Sequence, residues 1–285
     1  MGVLSTIKNR ASFNYFASLF HDSELPLHRE VNQYKGIYKV DLFDKRQPFG
    51  NMHESIYSGI SVCKYEASII ALCEFFERCA VQDSGVGYSN GCAAHPVYLS
   101  KKISLKVASR RAFNEAAERF AFYNWFVDHS VAHSWLCMSG SLKKISELVR
   151  EKKSIGQIKI SVKYSGYLVV SYIELKGGLL FGTAMDQNLS IARNRSESEL
   201  LRNSLSYLNS SNEHLRSRLD EEIFMVAANG KNFIRRIFNP GEAHIKIPLP
   251  RETYELEHKS KEKVVVVRSI IGDKKYSKST LCDYH

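Results

Sequence analysis

Apolar positions recur along this chain with two periods. Spacing of three and four residues marks helices over 66–81, about 104–128, 141–151, 190–209 and 212–228. Ser104 is placed to cap the second of these. Short β-branched and aromatic runs mark strands at 34–43, 131–138, 158–164, 167–175, 179–184 and 263–271, the last holding four consecutive valines. Gly166 and Gly177-Gly178 break the three middle runs, which therefore read as adjacent antiparallel strands. Residues 46–50 read as a turn, 82–90 as a loop around Gly85 and Gly87, and the charged stretch 252–263 as a solvated linker. Mixed strands with helices grouped on a sheet give the α+β class. The expected organisation is one compact domain over 1–285, with a core at about 55–205 and a helix and strand extension over 206–285.

Within that core one pattern occurs twice. Ala67, Ala71, Glu74, Glu77 and Arg78 have the spacing of Ala108, Ala112, Glu115, Glu118 and Arg119. Both segments lack Gly and Pro, and residues three and four apart share a helix face. Each helix thus offers small residues for close packing and then two carboxylates on one side. A degenerate third form holds Ala192, Ser196 and Glu199. A small-residue segment with glycine precedes each: Ser58-Gly59-Ile60-Ser61, Ser89-Asn90-Gly91-Cys92-Ala93-Ala94 and Gly182-Thr183-Ala184. The unit reads as turn then helix, three times, at irregular spacing.

Four carboxylates, Glu74, Glu77, Glu115 and Glu118, converge if the two helices lie side by side. Four like charges at one place require cations. Magnesium takes hard oxygen ligands and shares them with phosphates, and Arg78 and Arg119 can fork onto phosphate oxygens. Ordinary surface i,i+4 pairs are the alternative, but alanine packing does not demand both glutamates and the arginine twice.

These motifs resemble the YcaO family, ATP-dependent enzymes that activate peptide-bond amides. The resemblance spans about 55–205 and implies a YcaO-like α+β fold, a mixed sheet carrying helices with three degenerate turn-helix repeats. It implies ATP and Mg2+, with Glu74, Glu77, Glu115 and Glu118 as metal ligands. It also places Arg119 and Glu118 at the catalytic centre, and Ser61, Asn90, Arg78 and Arg119 on the nucleotide. Three departures stand out. Gly59-Ile60-Ser61 lacks the lysine and second glycine common in the family. The connection from Glu74 to Glu115 is short where the family carries a long insertion, and Pro248-Leu249-Pro250 only echoes the proline-rich tail of azoline-forming members.

The chain has 285 residues and a net charge of +10, which suits an acidic peptide or nucleotide partner as well as a merely basic surface. Basic residues are spread through the sequence, so a nucleic-acid partner is not expected. Six scattered cysteines without Cys-x2-Cys or His pairing argue for a reducing compartment and against structural zinc. No apolar run approaches the ~20 residues of a membrane span, and Lys8, Asn9 and Arg10 interrupt any signal core, so a cytoplasmic protein is expected. No Walker loop, His-Glu-x2-His or Gly-x-Ser-x-Gly is present. His133 and Ser134 adjoin in a strand and face opposite ways, while His95 follows the Asn-Gly segment.

The resulting expectation is a cyclodehydratase component that acts on a ribosomally made precursor peptide and forms azolines. Thioamide or amidine chemistry is the sister outcome, and a non-catalytic nucleotide-binding scaffold subunit is the alternative. No complete leader-binding domain is visible, so a leader-binding partner, such as a ThiF-like cyclodehydratase subunit, is expected.

Overall fold

The computed structural model describes residues 14, 27–34, 36–44, 56–84, 90–97, 100–163, 166–176, 178–209, 230–247, 250–256 and 263–271. The expected turn at 46–50 and helix at 212–228 lie outside these residues. The chain packs as two compact units. The first comprises 1–86, 92–112 and 253–268; the second comprises 87–91, 113–252 and 269–285.

The first unit begins with a hairpin where one strand is expected. Strands β1 (Leu27–Tyr34) and β2 (Ile37–Asp44) pair antiparallel. The turn between them uses Gly36 at φ 84°, a left-handed conformation that glycine adopts without penalty. β3 (Ile56–Ser61) pairs with β2 and forms the edge of the sheet β1-β2-β3. The segment at Ser58–Ser61 is therefore strand and not turn. Helix α1 (Lys64–Ser84) lies on one face of this sheet. Val40, Leu42, Tyr57, Ala67, Ala71, Leu72, Phe75 and Phe76 are buried together there. A Cβ at Gly59 would lie 1.9 Å from the Ala67 carbonyl oxygen, so glycine lets strand and helix backbones touch.

The Asn90–Ala94 segment is likewise a strand, β4 (Asn90–Pro96), in the three-stranded sheet of order β10-β11-β4. β11 (Val264–Ile271) pairs with it, and β10 (Pro250–Glu255), in part of the expected linker, lies on the far side of β11. Helix α2 (Lys101–Val127) starts before Ser104. Ser100 caps it through Ile103 N–H, while the Ser104 hydroxyl turns to the Pro96 carbonyl. Ala108 and Ala112 are fully buried against Ala93, Val265 and Val267.

The second unit is built on the antiparallel strands expected from the sequence. These are β6 (Lys152–Lys163), β7 (Gly166–Leu175) and β8 (Leu179–Asp186). The two-residue β5 (Ser134–Trp135) pairs with β6 on one side of the path, and β9 (Ile245–Lys246) joins β6 in parallel. The longer strand expected at 131–138 is reduced to β5 and an isolated bridge at Val131. Leu168, Val170 and Tyr172 of β7 pack with Ala116, Ala117, Ala121 and Trp125 of α2 and with Phe233 of α5 (Gly230–Phe238). Alternate residues point to α4 (Leu189–Asn209). On that face Ser171 bonds Ser196, and Gly182 has no room for a Cβ, which would lie 2.3 Å from Leu200 N. Gly182–Ala184 is thus strand interior. Helix α3 (Gly140–Leu148) is capped by Ser139, which accepts from Leu142 N–H.

Candidate functional site

In the first unit α1 turns Glu74 and Glu77 toward two edge strands. Glu74 accepts the Ser58 N–H of β3 at 2.8 Å and the Arg78 guanidinium at 2.8 Å. Arg78 also lies over the Tyr57 ring, 5.6 Å from its centroid. Glu77 accepts the Ala94 N–H of β4 at 2.7 Å, and Arg111 donates to the Ala94 carbonyl at 3.2 Å. A backbone N–H on an edge strand needs an acceptor, and here a helix carboxylate supplies it.

The same device appears in the second unit. β8 ends its sheet path, and Glu118 of α2 accepts the Met185 N–H at 3.2 Å and the Thr183 hydroxyl at 2.6 Å. Glu115 is paired with Arg119 one turn on. Burial, and then the Glu199 carboxylate, push Glu118 up to about 7 despite the Thr183 bond and the Arg195 charge. Arg195 lies 3.8 Å from Asp186. Each unit therefore holds one Glu-x2-Glu pair with its arginine. The sequence shows the glutamates, and their strand partners Ser58, Ala94 and Thr183 lie in the small-residue segments that precede the helices, with Met185 just beyond the third.

The remaining predicted residues have local roles. Ser61 donates to Glu66 at 2.5 Å and accepts the Cys63 N–H at 3.1 Å, at the entry to α1. Asn90 begins β4. His95 sits beside the Glu77–Ala94 bond, its Nδ1 is 2.7 Å from the Pro96 carbonyl, and burial lowers its basicity. His133 is buried between Trp125 Nε1 and the Ile237 carbonyl while Ser134 is exposed, so the two form no dyad. Cys73 is buried and its thiol is pushed up to about 12 by burial and by Glu77, which makes it inert.

A polar cluster that sequence reasoning missed lies on the α4 face of the second unit. Buried Glu197 accepts from Ser139 at 2.7 Å, from Gln157 at 3.2 Å and from Arg193 at 3.3 Å. Gln157 also donates to Ser171, which is bonded to Ser196. Its sequence signal is faint, because Gln157 is one of several polar residues along β6 and Ser171 interrupts an apolar run in β7 by a single residue.

Among the described residues no three His, Cys, Asp or Glu side chains come together as a complete metal cage. The donors are instead pairs of hard carboxylate oxygens, each oriented by a strand N–H or an arginine. Such a set fits a hard divalent cation that takes its other ligands from phosphate and water. Glu118 is raised first by burial and then by the Glu199 carboxylate, and a cation beside it would offset both.

The fold is mixed α+β with a YcaO-like arrangement. The chain is similar to the solved structure of YcaO from Methanopyrus kandleri bound with AMPPCP and Mg2+. The TM-score is 0.63 over 96% of this chain and 92% of that one, at 12% identity, so the likeness is one of fold. No protein-family model matches the chain, and no curated protein matches it.

Proposed function

We propose that this chain is an ATP- and magnesium-dependent enzyme of the YcaO kind that activates backbone amides of a precursor peptide and forms azolines. The observation that carries the reading is the doubled Glu-x2-Glu-Arg set, with each carboxylate already oriented, on a fold similar to a YcaO whose structure holds AMPPCP and Mg2+. Glu74 and Glu77 of the first unit, and Glu115 and Glu118 of the second, would each offer carboxylate oxygens to magnesium, and Arg119 and Arg78 would face phosphate oxygens. Magnesium supplies neutralising charge to the nucleotide phosphates when bound.

In the proposed reaction a Cys, Ser or Thr side chain of the peptide attacks the preceding amide carbonyl. The resulting oxygen takes the γ-phosphoryl group of ATP, leaving ADP. The C–O bond then breaks as the amide nitrogen releases its proton, and phosphate departs with the former amide oxygen to leave the C=N bond of the azoline ring. The nucleophile belongs to the substrate, so the protein's contribution is position and charge. Glu118 enters this scheme as a carboxylate that ionises when a cation stands beside it.

A second reading, a non-catalytic nucleotide-binding subunit, draws on one observation. Both Glu118 oxygens and the Ser61 hydroxyl are engaged within the protein. Calorimetry with ATP, with and without magnesium, tests the shared part: binding should require magnesium. Mass spectrometry of a Cys- or Ser-rich precursor then separates the two, since only the enzyme lowers the peptide mass by one water per ring. A mass change that needs sulfide would indicate thioamide formation instead.

A further inference from the structure

The face of β2 and β3 opposite α1 carries a charged pair that the nucleotide reading does not use. Lys39 and Asp41 stand two residues apart on β2, are 4% and 5% exposed, and meet at 2.7 Å. Asp41 is directly across from Ser58 in the β2–β3 register, and Ser58 Oγ donates to its other oxygen at 2.5 Å. The N–H of the same Ser58 donates to Glu74 at 2.8 Å. A continuous chain of bonds therefore runs Lys39, Asp41, Ser58, Glu74, Arg78.

Placing a lysine and an aspartate out of water is costly, and an apolar pair of similar size often serves stability as well or better. The pair sits at the strand position that faces the candidate ligand through Ser58. We propose that Lys39, Asp41 and Ser58 are positioning residues for Glu74: they pin the edge of β3 so that its N–H holds the Glu74 carboxylate in one orientation for a divalent cation on a nucleotide. The Asp41 carboxylate anchors the Ser58 hydroxyl, and the Lys39 ion pair holds Asp41 in place. The inference rests on the proposed ATP and magnesium site.

The test is calorimetric titration of a non-hydrolysable ATP analogue into the full chain over a magnesium series, with thermal unfolding measured in parallel. Ser58→Ala should raise the half-saturating magnesium concentration by about tenfold, the usual effect of losing an outer partner of a metal ligand. Ser58→Thr, which keeps the hydroxyl, should restore it. The melting temperature should fall by a few degrees, because a buried Asp41 oxygen loses its donor, so the magnesium midpoint is the deciding readout. A structural role alone would lower the melting temperature and leave the magnesium midpoint in place, which overturns the inference while the nucleotide reading stands. Should Ser58→Ala not fold, the double variant Lys39→Met with Asp41→Asn keeps an acceptor for Ser58 and removes both charges. An unchanged midpoint in that variant also overturns the inference. If the unmodified chain binds no analogue at any magnesium concentration, the site itself is wrong and the inference falls with it.

Discussion

Glu118 holds the edge of β8, and in the proposed reaction it would serve chemistry as well. A free glutamate ionises near 4.5, and burial beside Glu199 moves Glu118 to about 7. Below about 4.5 both folded and unfolded chains hold the proton, so Glu118 adds no pH dependence there. From 4.5 to 7 the unfolded chain loses the proton before the fold does. Stability of the ligand-free protein should therefore fall as pH rises through that window and stay lower above it. Glu118→Gln removes this penalty: the Met185 N–H keeps an acceptor and the Thr183 hydroxyl can turn to accept. Its melting temperature at pH 8 should exceed that of the unmodified chain by about 2–6 °C. Thermal unfolding from pH 5 to 8 checks this, and an unaltered pH slope in the variant would count against it. The same variant, and Glu115→Gln, should stop ATP turnover. Near-normal phosphate release from either would remove these residues from the metal site.

At the scale of elements, two contacts fix where the helices lie. Gly59 allows β3 to touch α1, and Gly59→Ala would set a methyl 1.9 Å from the Ala67 carbonyl. Overpacking of this kind costs about 1–3 kcal/mol or more, so the urea midpoint should drop with little change in slope. In the second unit Arg236 is fully buried, and burial lowers its basicity while the Asp128 charge partly offsets that. It donates to the carbonyls of Trp125, Asp128, Val131 and Asn239, and stacks on Trp125 at 5.2 Å. Those first carbonyls end α2, where the helix dipole favours a cation. Arg236→Met should cost roughly 2–4 kcal/mol by leaving several carbonyls without donors, read as a lower denaturant midpoint. Arg236→Lys should recover only part, since a single ammonium cannot reach the same fork of acceptors.

For the whole molecule, the net charge of +10 and the proposed peptide substrate bear on how turnover would be organised. Leader binding at a distance supplies the energy that sets a reacting residue in place. A chain that relies on a partner for that docking should hydrolyse ATP slowly with peptide alone and faster once a co-encoded docking protein is added. An acidic leader would gain on-rate from the basic charge, and that gain should shrink as salt rises. Phosphate release and precursor mass, followed with and without the docking protein, measure the effect. Complete conversion by this chain alone would refute partner dependence, and silence in both arms would favour the non-catalytic subunit.

The sequence by itself determined the helices around Ala67–Arg78 and Ala108–Arg119, the three antiparallel strands β6, β7 and β8, and the spacing of the four glutamates. These features are local, because helix faces and strand alternation are written in nearest-neighbour periods. The tertiary structure decided the rest. The glycine-bearing segments Ser58–Ser61 and Asn90–Ala94 look like turns because they are small and polar. They are strands because glycine and alanine are what a sheet needs where a helix backbone presses on it. Tyr34–Ile37 looks continuous until Gly36 reverses the chain. The chain of bonds from Lys39 through Asp41 and Ser58 to Glu74 joins residues distant in sequence, and a register of strands brings them together. Hydrogen bonds across that distance leave no period behind, so only the folded chain reveals them.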